Sequence, residues 1–174
     1  MDNEMLLKDF KTNIEFRMNE SLRFVKKSLY DLNEEEIWLR PNESLNSIGN
    51  LLLHLCGNMR QYGIDSLLGN EDLRKRDLEF SAKSTTPKDK LLERFENTIK
   101  EVIEAMNSLS KDEILRIRSV QGFEFSGLGN LIHVTEHLSY HTGQIAFAVK
   151  MLKNKDLGFY DGFDLNIKNN NNAS

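Results

Sequence analysis

The sequence predicts an all-α protein: a four-helix bundle with long crossover loops and a short β-hairpin before the last helix. Three observations predict it. Apolar residues recur at spacings of three and four over four long stretches. Only two prolines occur, and both fall between the periodic stretches. Hydrophobic residues at 39% and charged residues at 29%, over 174 residues, suit one domain with a single core.

The first helix is expected over about residues 4–30, where Phe10, Ile14, Met18, Leu22, Val25 and Leu29 share a face. Residues 33–43, with Pro41 among them, break the pattern, and Trp38 is expected to pack back onto the bundle. Asn46 or Ser47 can cap the second helix. That helix carries Ile48, Leu51, Leu52, Leu55 and Met59 and ends near Leu68, before Gly69 and Asn70. Its first half is apolar on most sides, so deep burial is expected.

Residues 70–86 read as a long polar crossover of irregular structure, a kind of loop uncommon unless functional or mobile. Within it, Arg74, Lys75 and Arg76 lie among Glu71, Asp72, Asp77 and Glu79, which reads as a solvated loop. Thr86 and Pro87 open the third helix, with proline in the first turn, and Leu91, Leu92, Phe95, Ile99, Val102, Ile103 and Met106 continue it to about Leu109. Around Gln121 and Gly122, residues 116–125 read as a hairpin. Ser126 begins the last helix, through Leu128, Leu131, Val134, Leu138, Ile145, Val149 and Leu152. The bundle is expected over 1–155 and a tail over 156–174. The tail aromatics Phe159, Tyr160 and Phe163 are expected to dock on the body, and the asparagine run 169–172 to be disordered.

Net charge is −4 with both signs interspersed, so no nucleic-acid footprint or polybasic membrane patch is visible. No stretch approaches the roughly 18 apolar residues of a membrane span. The first residues are not a secretory leader, and a cytoplasmic location is the expectation. The single Cys56 excludes an internal disulfide and reads as a buried small hydrophobe.

Chemistry is concentrated in the four histidines: His54, His133, His137 and His141. Three lie in one helix at spacings of four, stacked on one face. Two imidazoles so spaced can converge on one ion. His54 sits in the apolar second helix, where a histidine without a polar partner is costly. His133 and His141 are roughly 12 Å apart along the helix axis, against metal–nitrogen bonds of about 2.1 Å. One ion can therefore take His133 with His137, or His137 with His141, and His54 would add a third bond. Three neutral imidazoles suit zinc, nickel, iron or manganese and leave a coordination position open. A di-iron carboxylate site needs a Glu three residues before a histidine, and none is present.

The segment from His133 through Glu136, His137, Tyr140, His141, Gly143 and Gln144 to Ile145 resembles the last-helix motif of the DinB/YfiT-like family. The segment from Asn46 to His54 resembles its second-helix motif. The likeness covers nearly the whole chain in element order. It implies a four-helix bundle with a divalent metal held by His54, His137 and His141, leaving His133 as a neighbour. Tyr140 departs from the pattern, since many relatives have a second histidine there. The resemblance further implies a small-molecule substrate, a homodimer, and chemistry like that of thiol S-transferases, with a low-molecular-weight thiol cosubstrate activated on the ion. For the outer shell, Asn50 and Asn58 flank His54, and Glu136 and Gln144 flank the histidine pair, with helix capping, packing or solvation the competing role for each. Tyr62 and Arg60 are candidates for the mouth of the site.

Overall fold

A computed structural model describes residues 3–83 and 86–168. Four long helices form the bundle: α1 (Asn3–Leu29), α3 (Ile48–Arg60), α6 (Lys88–Ser108) and α8 (Gly127–Lys153). Short helices α2 (Glu34–Trp38), α4 (Ser66–Leu68), α5 (Arg76–Ser81) and α7 (Lys111–Leu115) lie in the connections. The expected all-α architecture and the hairpin before the last helix are both present. No helix of the described residues is long and apolar enough to cross a membrane.

The three-and-four spacing becomes the core directly. Ile14, Met18, Val25 and Leu29 of α1 face Leu131, Val134, Leu138, Ile145 and Val149 of α8, and α1 packs along α8 and α6. The α3 helix lies against α6 and α8 and is buried on almost every side, as its composition predicts. Phe95, Ile99 and Val102 of α6 complete the interior. Trp38 does pack back, onto Gly49 of α3.

Local chemistry explains the boundaries. Ser47, rather than Asn46, caps α3 in a capping box with Asn50. The second helix continues past Arg60 through a π-helical turn, Gln61–Asp65, into α4, and ends at Gly69 in the left-handed conformation. The hairpin pairs β1 (Ile117–Val120) with β2 (Phe123–Ser126). Both turn residues, Gln121 and Gly122, have positive φ, the geometry that two-residue hairpins favour.

Four expectations need correction. The break at 33–43 contains α2, nucleated by a capping box between Asn33 and Glu36. The crossover 70–86 is not wholly irregular, because α5 lies inside it. Arg74 is not solvated: its side chain is 6% exposed and paired with Glu79. In the tail, Phe159 stacks on Phe24 of α1 at 4.3 Å and Tyr160 meets the same ring edge-on, but Phe163, also expected to dock, is 71% exposed. The asparagine run 169–172 lies outside the described residues.

Candidate metal centre

On α8 the core stripe runs through Val134, Leu138 and Ile145, and the histidines ride on the stripe beside it. His137 and His141 there face His54 of α3. The rings form a triangle with centroids 5.0 Å (His54–His137), 5.1 Å (His54–His141) and 4.5 Å (His137–His141) apart. One ligand nitrogen from each lies within 4.8 Å of the others, so the three could hold a metal ion. His54 Nε2 and His137 Nε2 are 2.9 Å apart.

His133 is turned elsewhere. Its Nε2 accepts a hydrogen bond from Asn58 Nδ2 at 3.2 Å, and its ring lies against Tyr62. The structure thus brings together His54, His137 and His141, and leaves His133 outside the cluster.

The outer contacts orient the donors. His54 Nδ1–H donates to Glu79 Oε2 at 3.0 Å, which leaves its Nε2 lone pair pointing at the cluster. His141 Nδ1–H donates to Gln144 Oε1 at 2.7 Å, with the same consequence. Glu79 is in turn gripped by Arg74, through Nε to Oε1 at 2.8 Å and Nη2 to Oε2 at 2.9 Å. Gln61, in the π-helical turn, accepts from Arg74 Nη1 at 2.7 Å.

Of the anticipated partners, Gln144 reaches a site histidine, while Asn50 and Asn58 do not reach His54. Asn50 Nδ2 instead donates to the Glu79 and Ala82 carbonyls, tying α5 to α3. Asn58 holds His133. Glu136 is exposed. Tyr62 is buried and donates to Gln121 of the hairpin turn. Gly143 does not serve helix contact, since a Cβ there would meet nothing within 4 Å.

Glu79 and Arg74 escaped sequence reasoning because both sit in a run of mixed charge. The one local signal was the apolar pair Leu78 and Phe80 around Glu79. Gly57, one turn beyond His54, provides the space: a Cβ there would lie 1.9 Å from Glu79 Oε1.

Electrostatics favour neutral donors. Burial lowers His137 to about 3, and His141, His54 and His133 push the same way. Burial also lowers His141, partly opposed by Gln144, and lowers His133. Burial acts to raise the Glu79 carboxyl, but hydrogen bonds from Arg74 and His54 outweigh it and hold it below the usual carboxylate range. Burial pushes the Cys56 thiol up to about 11, so it stays protonated at neutral pH.

A pH dependence follows. In chelator-treated protein the unfolded imidazoles take up protons near pH 6.5, while His137 in the fold resists protonation down to about 3. The unfolded chain then binds more protons, so stability falls as pH drops through this window and is level above it. Thermal melts should show that decline, and it should be shallower for His137→Asn. An identical slope in the two proteins would contradict the burial argument.

A family model described as a protein of unknown function, DUF1572, matches residues 6–160. No curated protein matches the chain. Among solved structures, a DinB-like protein from Bacillus subtilis, YjoA, is similar with a TM-score of 0.63 and 16% identity, over 87% of this chain and 96% of that one. A conserved protein from Enterococcus faecalis is similar with a TM-score of 0.63 and 12% identity, over 89% of this chain and 99% of that one. These likenesses are likenesses of fold, and the DinB-like bundle expected from the two histidine motifs is the fold found. With the family model spanning all four long helices, the chain belongs to the DUF1572 family.

Proposed function

We propose that this chain is a divalent-metal-dependent enzyme in which His54, His137 and His141 hold the ion and a small thiol or water attacks an electrophilic substrate. The observation that carries this reading is the donor set: three imidazoles from two helices, two of them with Nδ1–H already engaged. Ligand nitrogens around an ion with bonds of about 2.1 Å stand roughly 3.4 Å apart in a tetrahedral site. The 2.9 Å between His54 and His137 nitrogens needs only a small ring adjustment to match. When bound, the ion lowers the pKa of a thiol or water and so supplies a nucleophile at neutral pH.

The protein's part is orientation and access. Glu79 and Gln144 fix which nitrogen of His54 and His141 faces inward. A cleft of about 240 Å³ is lined by His133, Glu136, His137 and Tyr140, so it borders the cluster at His137, with room for a small substrate. Among the described tail residues, Phe159 and Tyr160 dock on Phe24 of α1 rather than over this cleft, which favours turnover over a sealed metal-storage site. Thiol S-transferase-like chemistry is the specific form suggested by the family resemblance, with zinc, nickel, iron or manganese as the ion.

Elemental analysis of protein purified without affinity-tag metal tests the reading. About one divalent ion per chain is expected, lost on His54→Ala, His137→Ala or His141→Ala and kept on His133→Ala. Absence of stoichiometric metal after exposure to zinc, nickel, manganese and iron would end the proposal. Equal loss in the His133 variant would mean the wrong pair on α8.

A further inference from the structure

Across α3 from the histidines lies a second cavity of about 340 Å³, between α3, α6 and the segment carrying Arg74 to Glu79. Four cations line it: Arg60, Arg74, Lys75 and Arg94. Only two carboxylates, Asp65 and Glu79, share the lining, and Glu79 is already committed to Arg74 and His54. Arg60 is engaged by Glu101 at 2.5 Å. Among the described residues, the side chains of Lys75 and Arg94 have no carboxylate partner, although the chain as a whole is acidic at −4. A positive cavity on a negative protein is not explained by overall composition.

The rest of the lining is apolar. Leu73 is 72% exposed and Leu78 is 62% exposed, both at the cavity, and Leu53 of α3 lies beneath them. Two large exposed leucines beside two unpaired cations form an amphipathic surface. Water satisfies the cations but not the leucines.

We infer that this cavity binds a small amphiphilic anion, with a carboxylate or phosphate head held between Lys75 and Arg94 and a short apolar body against Leu73 and Leu78. The site is separate from the metal centre and stands without it. The Arg74–Glu79 pair forms the wall between them, with His54 on its far side.

Calorimetric titration of the full chain, both chelator-treated and metal-loaded, tests the inference with hexyl phosphate, hexanoate and inorganic phosphate as probes. At least one of the two amphiphiles is expected to bind, and which one binds tighter identifies the head group. Lys75→Gln and Arg94→Gln change exposed side chains and are expected to weaken binding about tenfold each, the loss of one charge-assisted contact. Leu78→Ser should weaken the amphiphile and leave inorganic phosphate unchanged. Failure of both amphiphiles to bind at millimolar concentration overturns the site. So does affinity unchanged in both charge variants, with melting curves confirming that they fold. Inorganic phosphate binding as tightly as hexyl phosphate overturns the apolar half of the assignment.

Discussion

Replacing Glu79 with alanine is expected to destabilise the protein by roughly 3 kcal/mol, the low end of the cost of breaking a buried ion pair. The reason is what the change leaves behind. Arg74 would keep its guanidinium at 6% side-chain exposure with no carboxylate partner, only the neutral Gln61 Oε1 at 2.7 Å and His54 Nδ1 at 3.2 Å. The adjoining cavity offers partial escape toward water, which is why the low end applies. The same change frees His54 Nδ1, so the ring loses the carboxylate that sets its tautomer. Metal affinity should fall about tenfold to a hundredfold. Glu79→Gln keeps an acceptor for Arg74 and should recover part of the stability. Denaturant unfolding of the chelator-treated protein isolates the first effect, and metal titration the second. A Glu79→Ala protein as stable as wild type would show that the pair contributes no net stabilisation.

Alanine at Gly57 should also destabilise, by about 1–2 kcal/mol, against the normal direction for a glycine inside a helix. Helix propensity alone favours the alanine by about 1 kcal/mol. Opposing it, the new Cβ would stand 1.9 Å from Glu79 Oε1, 2.7 Å from its carboxyl carbon and 3.0 Å from Arg74 Nε. A carboxylate at the end of a side chain can usually move aside. This one is tied to Arg74 and His54, and its own backbone carbonyl is held by Asn50. The two changes should therefore couple. In the Glu79→Ala background the carboxylate clash is gone and only the 3.0 Å approach to Arg74 Nε remains, so Gly57→Ala should cost less than it does in the wild type. Gly143→Ala is the control, since its Cβ meets nothing and should add a few tenths to 1 kcal/mol. If Gly57→Ala behaves like Gly143→Ala, the Arg74–Glu79 pair does not sit where the structure puts it.

Both predictions centre on residues that one-dimensional reading could not single out. The four long helices were legible because an amphipathic helix repeats its burial every three or four residues. Ile14, Met18, Val25 and Leu29 announce a buried face with no knowledge of what covers it. The hairpin was legible through Gln121 and Gly122. The short helices α2, α5 and α7 were not, since five or six residues are too few for a period to show.

The histidines divide the same way. Their spacing by four puts His133, His137 and His141 on one side of α8 by helix geometry alone. It leaves two pairings of adjacent histidines open. The family resemblance favours His137 with His141, and the tertiary structure brings these two to His54. The reason is where neighbouring elements stand: His54 on α3 lies level with the lower pair, while Asn58 and Tyr62, a turn or more further along, meet His133.

By itself, then, the sequence determined the bundle, the one buried histidine and the face that meets it, because helical periodicity is a local property. Only the tertiary structure decided which charges are structural. Glu79 and Asp77 are indistinguishable in a list of residues. One is buried because Gly57 leaves a gap opposite it, Arg74 neutralises it and Asn50 holds its backbone. The other is exposed and stays in water. Burial of a charge depends on what lies across from it, and that is contributed by residues far away in the chain.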